Sequence, residues 1–185
     1  MARTPTTQIP LGFKAPDFNL PNVVSGNKTS LKEVTMKNGL VVMFICNHCP
    51  FVVHVMDQLV SLAKDYMNKE IGFVAISSND VLNYPDDSPE KMKKLALDNN
   101  FPFDYLYDET QDVAKAYDAA CTPDFSVFDN QLTCIYRGQI DGSRPGNNIE
   151  NDGQHMRKVL DYLLINKTID FEQLPSIGCN IKWKN

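Results

Sequence analysis

Two nearly uninterrupted apolar runs, Leu40–Ile45 and Gly72–Ser77, are the strongest pattern in the chain. Because neither run alternates with polar residues, each predicts a strand that is buried on both faces of a sheet. Between them, apolar residues recur at three- and four-residue spacing over residues 47–68, which predicts a helix with one buried face. Pro50 does not oppose this helix, since the first amides of a helix have no acceptor within it.

Later segments continue this alternation of strands and helices. They are, in order, a helix that starts at Ser88-Pro89, a short strand over 103–107, a helix capped by Asp108, two strands over 125–128 and 132–137 that flank an Asp129-Asn130 turn, and a helix over 152–165. Strands joined through helices pair in parallel, and a hairpin adds antiparallel strands. The predicted fold class is therefore α/β, with a mixed sheet that has helices on both faces.

The length and composition fit one globular domain. The chain has 185 residues, enough for a single sizeable core, and 43% of them are hydrophobic. We assign residues 1–185 to one domain, with an N-terminal arm over 1–34 in which a hairpin is expected, a core over 35–165 and a C-terminal tail over 166–185. The formal net charge of −5 argues against a nucleic-acid backbone as a partner.

The N-terminal sequence and the cysteine count indicate a compartment. Residues 1–18 contain prolines and no apolar stretch of the length that a secretory signal needs. The longest uncharged run, 38–56, includes polar side chains that would be costly in a bilayer, so no membrane partner is expected. Five cysteines, an odd number, do not suggest a disulfide framework. These features predict a cytoplasmic protein, since stable disulfides are rare in that compartment.

The candidate chemistry lies where the first predicted strand meets the first helix, at Cys46-Asn47-His48-Cys49. Two cysteines separated by two residues can close a disulfide across one helical turn. A helix N-terminus stabilises an anion, which predicts a lowered pKa for Cys46. Cys46 is therefore expected to be the nucleophile, and Cys49, one turn into the helix, the resolving thiol. This assignment requires the two sulfurs to lie close together and Cys46 to be accessible to solvent. An imidazolium at His48 would favour the thiolate and make the pair more oxidising.

These cysteines and several later segments together resemble the thioredoxin superfamily over residues 13–165. The segments that carry the resemblance are Cys46-Asn47-His48-Cys49, Val113-Ala114-Lys115-Ala116-Tyr117, Thr122-Pro123 and Phe125-Ser126-Val127-Phe128-Asp129. The segment Ala15-Pro16-Asp17-Phe18 and the extra helix near 89–99 are similar to the peroxiredoxin and alkyl hydroperoxide reductase/thiol-specific antioxidant branch. Arg144-Pro145-Gly146-Asn147 and Ser176-Ile177-Gly178-Cys179-Asn180 are similar to a group of bacterial thioredoxin/peroxiredoxin-like proteins.

The resemblance implies a thioredoxin-like sheet with an arm and an inserted helix, and it implies a cis peptide at Thr122-Pro123 that faces the cysteine pair. Proline lowers the cost of the cis form to about 0.5–1 kcal/mol, and its missing amide is expected to leave the Thr122 backbone free to pair with a substrate strand. Thr122 and Pro123 are therefore expected to bind the substrate. Cys121 should lie near the pair for the same reason, although a small buried apolar role is its favoured interpretation.

Two departures from the family pattern bear on the chemistry. Ile45 stands where thioredoxins have a tryptophan and Leu40 where they bury an aspartate, so the resemblance identifies no base for Cys49. Peroxiredoxins place a threonine three residues before the peroxidatic cysteine, whereas Met43 and Cys46 stand three residues before Cys46 and Cys49. Disulfide exchange is therefore favoured over peroxide reduction.

Other polar residues are assigned less specific roles. Cys179, in the tail, is a candidate third redox thiol, whereas Cys134 lies within a strand and is expected to serve packing alone. Asp86 and Asp87, with Glu90, are interpreted as a solvated helix start that suits the helix dipole.

The expected function is that of a thiol–disulfide oxidoreductase, in which Cys46 and Cys49 exchange with protein or small-molecule disulfides. Two alternatives stay open. One is a thiol-dependent peroxidase that uses the same pair, and the other is a zinc-binding or docking module in which a third ligand such as His54, Cys121 or Cys179 completes the metal site. The expected partners are a disulfide or peroxide substrate and a thiol reductant. The favoured chemistry needs no cofactor and no metal.

Overall fold

The elements of the computed structural model follow the order that the apolar pattern predicts. The structure describes residues 3–184, so the first two residues of the predicted arm and the last residue of the tail lie outside it. The strands are β1 (Thr4–Pro5), β2 (Asn19–Pro21), β3 (Lys28–Ser30), β4 (Gly39–Phe44), β5 (Ile71–Ser77), β6 (Asp104–Tyr107), β7 (Cys121–Thr122), β8 (Asp124–Phe128), β9 (Cys134–Arg137) and β10 (Ile177–Asn180). The helices are α1 (Leu31–Val34), α2 (Pro50–Met67), α3 (Pro89–Asp98), α4 (Asp112–Ala116) and α5 (Gln154–Leu164), with a short 3₁₀ turn at Pro85–Asp87.

Five strands form the central sheet in the order β6-β5-β4-β8-β9. β4 pairs in parallel with β5, and β5 with β6, because the helices between them return the chain to the same end of the sheet. β8 pairs antiparallel with both β4 and β9, which confirms the predicted hairpin. Every residue of β4 and β5 is buried, as their unbroken apolar sequences predict.

Apolar clusters cover both faces of this sheet. One cluster joins the sheet to α2, α3 and α5, and the other joins it to α1 and α4. Leu40 and Val41, neighbours in β4, belong to opposite clusters, because successive side chains of a strand point to opposite faces. The predicted α/β fold with helices on both faces is therefore confirmed. Within residues 3–184, no helix combines the length and hydrophobicity that crossing a membrane requires.

The first long helix starts later than the apolar spacing predicts. The apolar spacing predicts a helix over residues 47–68, but α2 runs over Pro50–Met67, with Cys49 at its N-cap. Pro50 fills the first helical position, where its missing amide costs no hydrogen bond. Cys46 therefore lies in the connection between β4 and α2, and Cys49 occupies the position next to the helix.

The start signals of the later helices are partly confirmed. Ser88 is the N-cap of α3, and its side chain accepts a hydrogen bond from the Lys91 amide. Asp108 does accept a hydrogen bond from the Ala114 amide at 2.9 Å, but the N-cap residue of α4 is Gln111. The carboxylate thus caps α4 from a short distance upstream.

The arm and the tail form small sheets of their own. β2 pairs antiparallel with β3, which confirms the hairpin expected in the arm. β10 lies between β1 and β7 and pairs antiparallel with both. The tail strand is therefore held on both sides, and one of its neighbours is the strand that precedes Pro123.

Candidate active site

Three separate segments of the chain, residues 46–49, Thr122 and Cys179, meet at one end of the central sheet. Cys46 Sγ lies 3.3 Å from Thr122 Oγ1. Cys49 Sγ lies 3.1 Å from the Thr122 carbonyl oxygen and 2.9 Å from Cys179 Sγ. The structure thus brings together the predicted pair, Thr122 and the candidate third thiol.

The Thr122–Pro123 peptide is cis, as the resemblance implied. The Thr122 backbone is nevertheless not free to pair with a substrate strand, and that expectation is wrong for this structure. β10 occupies the edge of β7, with Cys179 directly opposite Thr122. The protein's own tail strand, β10, therefore occupies the edge of β7 at which a substrate strand was expected to pair.

Gly178 allows β10 to approach β7 this closely. A Cβ atom at position 178 would lie 1.9 Å from the Thr122 carbonyl oxygen, far inside contact distance. No residue with a side chain fits there without moving the strand. The glycine therefore sets how tightly the tail covers the cysteines.

The sulfurs are covered in this structure. Cys46 is 1% exposed, Cys49 is 0% exposed and Cys179 is 3% exposed. The requirement that Cys46 and Cys49 lie together is met, whereas the requirement that Cys46 be accessible is not. A reaction with any substrate larger than a small molecule therefore needs the covering segments to move.

The cysteine pair loses its first proton easily and its second with difficulty. A hydrogen bond from Cys46 lowers the pKa of Cys49 to about 5, with help from Cys179 and from the Val52 amide at the start of α2. The same hydrogen bond raises the pKa of Cys46, as do burial and the nearby carboxylate of Asp87. The expectation of a lowered pKa at Cys46 is therefore wrong, because the hydrogen bond with Cys49, burial and the Asp87 carboxylate all raise the pKa of Cys46.

We expect the reduced protein to carry a thiolate that titrates near pH 5, because the pKa of Cys49 is lowered to about 5. A lowered native pKa stabilises the fold above the unfolded thiol value of about 8.5, and this contribution is lost as the pH falls through the native value. The ultraviolet absorbance of the thiolate, followed against pH, checks this. Cys49→Ser should abolish the transition and Cys134→Ser should keep it. A wild-type transition only near pH 8.5 would contradict the assignment.

Asp87 lies beside Cys46, a position that its sequence does not predict. Asp86 and Glu90 are exposed, as interpreted, but Asp87 is completely buried in the 3₁₀ turn, so the interpretation as a solvated residue is wrong for Asp87. Its carboxylate accepts hydrogen bonds from the Asn47 amide and from Asn79 Nδ2, each at 2.7 Å. The sequence signals for this turn are Pro85, its first residue, and the turn-forming residues around it.

His48 is tied to the same carboxylate. Its Nδ1 atom lies 2.9 Å from Asp87 Oδ2, and its side chain is 31% exposed. The ring also stacks on that of Tyr84, with 6.1 Å between the ring centroids. A positive charge on His48 would thus be shared between Cys46 and Asp87. Its predicted tuning of the pair stays a prediction.

A thiol, an imidazole and a carboxylate meet at this point of the structure. The ligand atoms of Cys46, His48 and Asp87 lie within 4.8 Å of one another, and these groups are of the types that zinc binds. His54 and Cys121, which the sequence offers as third zinc ligands, make other contacts. His54 Nε2 hydrogen-bonds Ser143 Oγ at 2.7 Å, and Cys121 Sγ contacts the Pro123 carbonyl oxygen at 3.5 Å. This cluster could hold a metal, and sequence spacing did not predict its carboxylate.

The other two cysteines are buried. Cys121 is completely buried, and burial raises its pKa, which fits the apolar role favoured from the sequence. Cys134 is buried in the apolar cluster that contains α1 and α4, and burial raises its pKa to about 12. Neither thiol touches Cys46 through a hydrogen bond that the structure records.

The mixed sheet and the cis-proline beside the cysteine pair form a thioredoxin-like fold. Residues 11–137, more than half of the chain, match the AhpC/TSA family, and the chain belongs to that family. Family membership supports a thioredoxin-like redox function. No curated protein matches the chain.

Solved structures extend this comparison. An uncharacterized conserved protein from Geobacillus kaustophilus is 56% identical, with 100% of this chain and 97% of that chain covered and a TM-score of 0.97. A hypothetical protein from Sinorhizobium meliloti is 42% identical, with 98% of each chain covered and a TM-score of 0.95. The thioredoxin domain of a thiol-disulfide oxidoreductase from Bacteroides vulgatus is 15% identical, with 83% of this chain and 99% of that chain covered and a TM-score of 0.63, and it shares the fold alone.

Proposed function

We propose that this protein is a thiol–disulfide oxidoreductase that works through Cys46 and Cys49. The observation that carries the proposal is that both sulfurs lie against Thr122 beside the cis-proline, with Cys46 Sγ 3.3 Å from Thr122 Oγ1 and Cys49 Sγ 3.1 Å from the Thr122 carbonyl oxygen. Two sulfurs that meet at one residue can approach each other to form a disulfide, whose bond length is about 2.05 Å. Because the pKa of Cys49 is lowered to about 5, the pair carries a thiolate at neutral pH. The thiolate is the reactive form of cysteine.

In the proposed reaction, Cys46 is the entering thiol because it lies beside the partly exposed His48. Cys46 passes its proton to the thiolate of Cys49, and the Cys46 thiolate attacks one sulfur of the substrate disulfide. That bond breaks, and half of the substrate leaves as a thiolate. Cys49 then loses its proton and attacks Cys46 Sγ, which forms the Cys46–Cys49 disulfide and releases the second half. The single proton of the thiol–thiolate pair ends on one product sulfur, and the other product thiolate takes its proton from solvent.

Asp87 supplies a base near this reaction. The resemblance left no base for the pair, because Leu40 stands at the position of the usual aspartate. Asp87 approaches Cys46 from a different part of the fold, within 4.8 Å, and its charge acts on that thiol. We propose that its carboxylate, together with His48, holds the proton that the pair releases until a leaving thiolate takes it up.

A thiol-dependent peroxidase is the second candidate function. The burial of both sulfurs favours it, since hydrogen peroxide is small enough to reach a covered thiol and a protein strand is not. In that reaction a thiolate attacks peroxide to give a sulfenic acid and hydroxide, and the second thiol then condenses with the sulfenic acid to give the disulfide and water.

Single-turnover oxidation separates the two candidates. We expect reduced protein to react with a protein disulfide such as insulin faster than with hydrogen peroxide by about tenfold or more, which corresponds to about 1.4 kcal/mol in the barrier. Thiol counts before and after each reaction give the rates, with Cys134→Ser as a control that should behave as wild type. A faster reaction with peroxide would contradict the proposal and support the second candidate.

A further inference from the structure

We infer that Cys179 is a third redox thiol, which exchanges with the Cys46–Cys49 disulfide and forms a second disulfide, Cys49–Cys179. The inference rests on the proposed dithiol chemistry and extends it to the tail strand. It concerns where the oxidising equivalents go after the substrate has reacted.

The distances place Cys49 between two other sulfurs. Cys46 Sγ and Cys49 Sγ both contact Thr122, at 3.3 Å and 3.1 Å, and Cys49 Sγ lies 2.9 Å from Cys179 Sγ. A covalent disulfide would measure about 2.05 Å, so the sulfurs of Cys49 and Cys179 are in contact but not bonded. Either neighbour can therefore become the disulfide partner of Cys49 with a small movement.

Cys179 is held in this position by backbone pairing on both sides. β10 places Cys179 opposite Thr122, and Gly178 lies opposite Thr4 in β1. Just beyond β10, the Ile181 amide donates to the Ala120 carbonyl oxygen at 3.1 Å. Contact between Cys179 and Cys49 is therefore built into the strand register and does not depend on one flexible side chain.

The next segment of the tail is fixed to the ends of the central strands. The Lys182 amide donates to Asn79 Oδ1 at 2.8 Å, and the Asp80 amide donates to the Lys182 carbonyl oxygen at 2.8 Å. The same loop, a few residues further on, carries Asp87. The tail and the site are thus anchored to one another on both sides of Cys179.

The proposed step is an internal thiol–disulfide exchange. The Cys179 thiolate attacks Cys49 Sγ, the Cys46–Cys49 bond breaks, and the Cys49–Cys179 bond forms. The electron pair leaves on Cys46, which takes up the proton that Cys179 gave up. No external oxidant or reductant is consumed. Cys46 is then a thiol again, and the oxidising equivalents are stored under the tail strand until the thiol reductant of the proposed cycle removes them.

Disulfide mapping tests the inference directly. Reduced protein is oxidised with the small reagent diamide, alkylated, digested without reductant and analysed by mass spectrometry. In Cys46→Ser we expect a Cys49–Cys179 disulfide and the loss of two titratable thiols per molecule. Cys179→Ser should form the Cys46–Cys49 disulfide alone. Cys121→Ser is the matched control, because Cys121 lies in the strand next to Cys179 and contacts neither sulfur of the pair through a recorded hydrogen bond. It should give the same disulfides as wild type.

Two results would overturn the inference. One is a Cys46→Ser protein that keeps both thiols after oxidation, and the other is wild-type protein in which no peptide joins residues 49 and 179. Circular dichroism shows whether each variant is folded. The proposed function is tested separately. If wild-type protein does not reduce insulin, that function is contradicted, and the disulfide-mapping result is unaffected.

Discussion

Serine at either Cys46 or Cys49 is expected to slow insulin reduction by about a thousandfold or more, which corresponds to about 4 kcal/mol in the barrier. A hydroxyl in place of either thiol cannot form the disulfide that completes the reaction, although it preserves most of the size of the side chain. The measurement is steady-state insulin reduction with dithiothreitol as the thiol reductant. Cys134→Ser, in the apolar cluster on the other face of the sheet, is the control and should keep full activity.

The two variants are expected to fail at different steps. Cys49→Ser should accumulate a mixed disulfide between Cys46 and the substrate, because no resolving thiol attacks it. Cys46→Ser should form no such adduct with a protein disulfide, because Cys46 is the proposed entering thiol. Mass spectrometry of acid-quenched samples distinguishes these outcomes. A mixed disulfide on Cys49 that forms at the wild-type rate would reverse the assigned roles.

Replacement of Arg137 by methionine should destabilise the protein by about 3–5 kcal/mol at neutral pH, because it removes one partner of a buried ion pair. The Arg137 guanidinium lies 3.6 Å from Asp124 Oδ2, and both side chains are buried. It also donates four hydrogen bonds, to the carbonyl oxygens of Thr7, Tyr117 and Asp118 and to Ser126 Oγ. The methionine would remove the donor from these acceptors and would leave the buried carboxylate of Asp124 without its counter-charge, with the Ala120 amide as a remaining hydrogen-bond donor.

The pH dependence of this loss has a defined sign. Burial raises the pKa of Asp124 to about 6, although Arg137 opposes the shift. A raised native pKa means that protonation favours the fold. The contribution of Asp124 is therefore complete below the unfolded value of about 3.9 and is lost as the pH rises through the native value. Without Arg137 the carboxyl holds its proton more strongly, so the deficit of Arg137→Met should be smaller at pH 5 than at pH 7.

Urea denaturation at both pH values measures this difference in the free energy of unfolding. Lys37→Met is the matched control, since Lys37 pairs with Glu70 at 3.5 Å and both side chains are exposed. An exposed pair contributes about 0–1 kcal/mol, so this variant should stay close to wild type. A loss below about 1 kcal/mol in Arg137→Met at pH 7 would show that the buried pair is not the stabilising element inferred here.

The fold could be predicted largely from local patterns. The apolar runs around Val42 and Val74 define strands buried on both faces, and no polar side chain interrupts them. Ser88 and Pro89 together define the start of α3 to the residue. The start of α2 was less well defined, because a proline is tolerated at several positions of a first turn, and this error transferred the helix start from Cys49 to Cys46.

The rest of the site depends on contacts between distant parts of the sequence. Asp87 is separated from Cys46 by a whole helix and strand, and its acidic neighbours suggest a solvated turn. β10 contains a glycine and little alternation, so its sequence is a weak strand signal. It becomes a strand because β1 and β7 pair with it. Cys179 could therefore be named from the sequence as a candidate, but not placed beside Cys49.

The close approach of Gly178 to Thr122 has a practical consequence for protein engineering. A side chain at position 178 would clash with the Thr122–Pro123 peptide, so β10 and that peptide would have to move apart, while Cys46 and Cys49 remain in the sequence. Substitutions of increasing size at position 178 are expected to expose the sulfurs and to accelerate their reactions. Position 178 is thus a site at which a single substitution adjusts the accessibility of the dithiol.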